Sequence, residues 1–262
     1  MKVIRHAGLK DRLSTSRQWL CWPKAKQRDE LTVTEEFKVI ESVSHDRILS
    51  LGHVAMNHFR IILSHPEGQE MEEAVPECFP NFYGTQRFGN FDADQPVWPE
   101  RKDRFLISQY QAALFNLFLA GRLKKIHWAL CDGDLFTRTN GRRVFRVQTL
   151  DELEGEKTVS PAIPTGPILG YKMPKSSNTF EVDFMESRGI DPERFREFGK
   201  MAMGGRRPLW VYPQNMRVEK NGLETSILSF SLPSGSYATI LLQTMLDPEF
   251  YLTDHKHWVC FD

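Results

Sequence analysis

Cysteine is scarce. Cys21, Cys78, Cys131 and Cys260 are the only four in 262 residues, and no two form a Cys-x-x-Cys pair. That spacing argues against a zinc ribbon or a thioredoxin-type redox centre and implies reduced thiols in a cytoplasmic protein. Long apolar runs are missing as well. The longest, Ala112 to Gly121, is interrupted by Asn116 and falls far short of the ~20 residues that span a bilayer, so no membrane partner is expected. The opening Met-Lys-Val-Ile-Arg-His has no apolar stretch of the secretory kind. Neither sign of charge is in excess: 34 Lys and Arg balance 34 Asp and Glu. Bulk charge therefore announces neither nucleic acid nor membrane, and any electrostatic case rests on distribution. Gly-x-x-x-x-Gly-Lys-[Ser/Thr], Gly-x-Gly-x-x-Gly and Gly-x-Ser-x-Gly are all absent. Nucleotide hydrolysis, dinucleotide redox chemistry and serine hydrolysis lose their usual local signatures, and no nucleotide cofactor is expected. His255-Lys256-His257, even with Asp254 before it, is too short a run for a specific metal site and is read as surface.

What is present is globular in composition, with 40% apolar and 26% charged residues. The length fits one large domain or two small ones at roughly 150 residues each. The charge is segregated. Residues 1–30 carry eight Lys and Arg (Lys2, Arg5, Lys10, Arg12, Arg17, Lys24, Lys26, Arg28) against three acids. A second basic group comprises Arg194, Arg196, Lys200, Arg206, Arg207, Arg217 and Lys220, while acids collect at 67–77 and 151–156. Folding could join the basic groups into one positive face or leave them as two solvated surfaces.

Periodicity predicts strands at 16–22, 56–63, 142–148 and 226–232, the second with Phe59, Ile61 and Leu63 on one face. Helices are expected over 105–124, from Asp191-Pro192 to about Met203, and over 236–246 with Ser236 as N-cap. Strands then dominate both ends and helices the middle, which is an α+β pattern.

Two clusters could carry chemistry. In Ala7-Gly8-Leu9-Lys10-Asp11-Arg12, Asp11 sits between two cations ahead of a strand. Adjacent positive charge favours its ionised form, which suits a nucleophile or base. The same residue pattern also fits a turn aspartate in a surface ion pair. In Pro80-Asn81-Phe82-Tyr83-Gly84-Thr85-Gln86-Arg87-Phe88-Gly89, polar side chains alternate with aromatic rings. Such a run could stack and hydrogen-bond RNA, or form a packed loop between domains with Arg87 on a ring.

Taken in order, these stretches resemble the TruD family of tRNA pseudouridine synthases. The residues that carry the likeness are 7–12 continuing to Ser16, Gln18 and Trp19; Leu51-Gly52 with Asn57-His58-Phe59; the whole run 80–89; and Ser108, Leu114-Phe115-Asn116, Arg122 and Gly133-Asp134. Thr165-Gly166-Pro167 through Gly170, Arg206-Arg207, and Leu232 to Thr239 complete it. The resemblance implies a pseudouridine-synthase sheet domain, antiparallel or mixed, interrupted by a TruD-type α/β insertion. It places the catalytic parts at 1–77 and 207–262 and the insertion at 78–206. A cleft lined by both basic groups would take the tRNA.

The implied reaction converts a uridine, by resemblance uridine 13 in the D arm, to its C-glycoside isomer without metal or cofactor. The essential aspartate of the class maps onto Asp11. Lys10 and Arg12 would support its charge, and the target base must flip out of its stack to reach it. Gln18, Arg87, Arg206 and Arg207 would contact RNA, Asn57 would bond uracil or backbone, and Phe59 would shape the pocket floor. Tyr237 would lay its ring against the base where the family usually has phenylalanine. Other departures are Met56 and Cys78 for glycine, Ser16 for threonine and Thr244 for glutamate. Family members also usually carry several tens of residues ahead of Gly-x-Lys-Asp, including a strand, a lysine and a phenylalanine near the target base. The sequence has no counterpart before Ala7, so a catalytically impaired RNA-binding relative is the alternative expectation. A monomer is the expected state.

Overall fold

The structure is a computed structural model and describes residues 5–6, 15–17, 20–21, 40–41, 43–44, 46, 54–65, 71, 73–139, 143–155 and 161–253. The chain divides into two compact units, 1–57 with 262 and 58–261. In the first, β1 (Arg5–His6) pairs antiparallel with β2 (Leu20–Cys21), so the predicted 16–22 strand is seen in part.

β3 (Met56–Ser64), which lies in the second unit from His58 on, alternates as expected, with Phe59, Ile61 and Leu63 turned inward and Arg60, Ile62 and Ser64 out. It closes a three-stranded sheet ordered β10 (Gln214–Lys220), β11 (Thr225–Pro233), β3. Two cross-strand ties, His58 Nδ1 to Ser231 Oγ at 2.7 Å and His65 Nε2 to Ser226 Oγ at 2.9 Å, fix its register. Residues on either side of 78–206 thus share one sheet. A short ladder joins β4 (Phe79–Pro80) to β9 (Trp210–Val211).

Helix α1 (Arg104–Ile126) is the central rod. Asp103 caps it by accepting from the Phe105 and Leu106 amides. Every residue from Gln109 to Asn116 is buried. A helix apolar on one stripe would lie on a surface; along 109–116 this one is enclosed on all sides. Its polar residues are therefore obliged to bond to neighbouring segments. Gln109 Nε2 donates to the Phe88 carbonyl (2.7 Å), Gln111 Nε2 to Leu169 (2.6 Å), and Arg122 grips Asp134 with Nη1–Oδ1 at 2.9 Å and Nη2–Oδ2 at 2.7 Å. Helices α2 (Asp151–Gly155), α3 (Thr179–Ser187) and α4 (Ala238–Leu246) are shorter.

The middle of the chain is mixed rather than all helical, and the strand expected over 142–148 appears there in part at Phe145–Arg146. A four-stranded antiparallel sheet lies there, ordered β6 (Phe145–Arg146), β5 (Leu135–Arg138), β7 (Ala162–Ile168), β8 (Gly205–Pro208). Strand β7 is central although it holds Pro164 and Pro167, each lacking an N–H. The sheet tolerates them because Thr165 Oγ1 donates to the Leu135 carbonyl at 2.7 Å and Pro164 O accepts from Leu209 N. At Gly166 a Cβ would lie within about 3 Å of Leu209, Phe118 and Phe115 side chains. Glycine lets β7 lie directly on α1.

Two smaller expectations change. The segment opened by Asp191-Pro192 is a 3-10 helix (Pro192–Ala202), broken at Gly199 with φ +54, rather than one α-helix. Ser236 does not cap α4; Tyr237 occupies that position. Thr244, in place of glutamate, is buried and donates to the Ile240 carbonyl at 2.9 Å, so its hydroxyl is satisfied within α4. The α+β class stands.

Candidate functional site

Of the predicted site residues, Arg87, Arg207 and Tyr237 gather where the 81–87 loop meets the turn before α4. Asn81 is buried; its amide donates to Pro208 O (2.9 Å), and its side-chain oxygen accepts from Arg207 Nη2 (2.7 Å). Arg207 Nε donates to Asn81 O (3.0 Å), and Nη2 also donates to Gly235 O (2.9 Å). The guanidinium lies 4.0 Å from the Tyr83 ring centre, a cation–π contact that holds the fork flat. One arginine therefore ties the loop to the turn.

Tyr83 is fixed in turn by Asn116. The Asn116 side chain accepts from Tyr83 N and donates to Tyr83 O, both at 2.9 Å, from a fully buried position on α1. Tyr83 then meets Tyr237 edge to face at 6.0 Å. Burial pushes the Tyr237 phenol above its ordinary value, against the lowering pull of the Arg207 and Arg87 charges. The ring is thus neutral and half-buried, suited to contact rather than to proton transfer. Gly84 makes the junction possible. A Cβ there would stand 2.9 Å from Tyr237 Cδ1 and 3.0 Å from Thr239 Oγ1.

Arg87 closes the 3-10 turn Thr85–Arg87. Its Nη2 donates to Ser108 Oγ at 2.7 Å, and its guanidinium sits 5.8 Å from the Phe105 ring centre. In the 80–89 run, Phe82 and Phe88 are packed in the core, as a packed loop requires. Gln86 is exposed and Arg87 half-buried, which leaves them accessible to a ligand.

Arg206 is a correction. The resemblance makes it an RNA contact, but its side chain is 1% exposed and pairs with Glu181, Nη1–Oε1 and Nη2–Oε2 both 2.7 Å. Nε goes to Thr165 Oγ1 (3.1 Å) and Nη2 also to Thr165 O. Successive residues of a strand face opposite ways, so β8 turns Arg207 toward the site and Arg206 into the sheet. The second basic group is otherwise dispersed: Arg194 stacks 4.1 Å over Trp98, and Arg196 pairs with Glu193 at the surface. Phe59 stacks on Phe230 at 5.2 Å as a core-facing residue, and Asn57 is half-buried near the start of β3. Lys10, Asp11, Arg12 and Gln18 lie outside the described residues.

Asn116, Ser108 and Gln109 position the loop, a role that the sequence alone does not assign to them. The available signal is Asn116 itself, an amide interrupting the longest apolar run. Asn116→Ala strands both Tyr83 backbone groups without partners. A loss of about 1–3 kcal/mol is expected for each group left unsatisfied, read by urea unfolding.

Among the described residues no helix is long and apolar enough to cross a membrane, and no group of three or more His, Cys, Asp or Glu is placed to hold a metal. Cys78 and Cys131 are free thiols; burial, aided by Glu77, pushes the Cys78 thiol up to about 11.

Comparisons with known proteins agree on one family. The model described as tRNA pseudouridine synthase D (TruD) matches residues 1–97 and 95–245. A tRNA pseudouridine synthase D of Thermus thermophilus is 33% identical over 273 residues, covering 95% of this chain and 74% of that protein. That of Legionella pneumophila is 29% identical over 281 residues, covering 94% and 79%. A crystal structure of a Methanosarcina mazei protein assigned to the same family superposes with a TM-score of 0.55 at 19% identity, over 80% of this chain and 72% of that one, and supports the fold. The chain belongs to the tRNA pseudouridine synthase D family.

Proposed function

We propose that this protein isomerises uridine 13 in the D arm of tRNA to pseudouridine, in the cytoplasm, with Asp11 as the catalytic carboxylate. The N1–C1′ bond breaks, the uracil turns, and C5 bonds to C1′. The C5 proton leaves to solvent and N1 takes one up, so the balance needs no redox partner. Lys10 and Arg12 hold Asp11 ionised at neutral pH. Gln18 and Asn57 bond the substrate, Tyr237 lies against the flipped base, and Phe59 supports the pocket from the core side.

The observation that carries this reading is the bridge made by Arg207 between Asn81 and Gly235. It brings the 81–87 loop and the 233–239 turn, far apart in sequence, into one place with two tyrosine rings. The family match supports the chemistry, since it starts at residue 1 and spans the Lys10–Arg12 segment. The shared sheet of β3, β10 and β11 supports a catalytic domain of 1–77 and 207–262 around an insertion of 78–206. No observation among the described residues favours an inactive RNA-binding relative.

The test is to incubate unmodified tRNA with the pure protein and map pseudouridine by carbodiimide labelling and primer extension. A stop immediately 3′ to position 13 is expected. Modification elsewhere refutes the site assignment, and none at all refutes the activity.

A further inference from the structure

Tyr83 is fixed twice over. Its backbone N–H and C=O are both taken by the buried Asn116 side chain of α1 at 2.9 Å. Its ring is fixed separately. Phe115, also fully buried on α1, meets it edge to face at 5.8 Å and 89°. The Arg207 guanidinium lies 4.0 Å from its centre and 5.5 Å from that of Phe115. A chain of rings therefore runs from the core through Tyr83 to Tyr237, which it meets at 6.0 Å and 64°. Tyr237 holds the N-cap position of α4, and a tyrosine ring is too long to cap a helix end as serine or aspartate does. The direction of that ring is set by what it packs against. Gly84 keeps space for it. The Gly84 backbone, φ −70 and ψ 162, is extended and open to any residue, so glycine answers to space there rather than to conformation. That space belongs to the Tyr237 ring: a Cβ would stand 2.9 Å from its Cδ1.

Edge-to-face rings hold each other at a preferred angle. Tyr237 is half-buried, so a ring fixed in angle offers one constant face, and nucleobases stack on such faces. We propose that Tyr83 is a positioning residue for the reaction, holding the Tyr237 ring in the orientation that receives the flipped uracil. The role rests on the function proposed above. A chemical step at a bound base depends steeply on alignment. The affinity of a whole RNA comes mainly from phosphate contacts, which a turn of one ring leaves in place. Loss of the Tyr83 ring therefore slows the step far more than it weakens binding.

The experiment compares the wild type with Y83L, Y83F and G84A. It measures the single-turnover rate of pseudouridine formation on an unmodified tRNA transcript, the Kd for that transcript and the thermal unfolding midpoint. Y83L removes the ring that holds Tyr237, and G84A pushes on Tyr237 from the glycine side. Both are expected to slow the step by about 10^2-fold, the order that a misplacement of about 1 Å costs. Their Kd is expected to stay within about threefold of wild type, since the lost interaction acts on the chemical step. Y83F keeps the ring and is expected to run at the wild-type rate. A purely structural role would lower the unfolding midpoint and leave the rate of the folded protein unchanged. Where Y83L does not fold, G84A decides, because alanine adopts the Gly84 backbone and disturbs only its neighbours. Wild-type rates in folded Y83L or G84A overturn the role, and so does a Y83F as slow as Y83L. A wild type that forms no pseudouridine sinks the enzymatic reading and this role with it. A wild type that forms it beside variants equally fast sinks the positioning role alone.

Discussion

Asp11→Asn is expected to lower pseudouridine formation by roughly 10^4-fold, a loss of the order seen when a member of a catalytic group is removed. The tRNA affinity should stay within about threefold of wild type. The substitution is nearly isosteric and removes only the charge. The proposed role asks for an ionised carboxylate, and Lys10 and Arg12 flank Asp11 in the sequence, a setting that favours the charged form. Single-turnover assays on excess enzyme separate the chemical step from binding. Should Asp11→Asn retain more than about a tenth of the wild-type rate, well above the activity left when a catalytic group is removed, Asp11 is a turn residue and the carboxylate must be sought elsewhere.

Arg206→Met is the second large effect, and it concerns stability rather than catalysis. Arg206 and Glu181 are 1% and 2% exposed and bound through two parallel contacts. Removing one partner leaves a buried charge unmatched, at about 3–5 kcal/mol. Glu181→Leu should cost a similar amount. The double variant, in which neither charge remains, should recover part of the loss, so the cycle returns a favourable coupling. Urea midpoints measure all three. In buffers where Arg206→Met stays folded, the slope of log K for tRNA against log [KCl] should equal that of wild type. A drop of about one unit, as phosphate contacts produce, would return Arg206 to the RNA surface.

That contrast shows how far the sequence can be read. Adjacent arginines in a basic run look equivalent, and the family resemblance makes both RNA contacts. Their fates separate only once 205–208 is known to be a strand, because alternation then allows one of the two to face the site. The strand is hidden by its neighbour. β7 carries two prolines and a glycine, which speak against a central strand until Thr165 and Pro164 are seen to supply other bonds. Where pattern and environment agree, expectation and structure lie close together. β3 alternates as its sequence does, and α1 runs 104–126 against an expected 105–124. Asp11, the carboxylate proposed for the chemistry, is legible only through its charged neighbours and its motif, and it lies outside the described residues.

The chemistry leaves one mark that binding alone cannot imitate: bonding C5 to C1′ expels the hydrogen on C5. Transfer RNA carrying tritium at C5 of uridine, incubated with the wild-type protein, is predicted to release one equivalent of tritium to water per tRNA, and none with Asp11→Asn. Tight tRNA binding with no tritium released by the wild type would contradict the account at its centre.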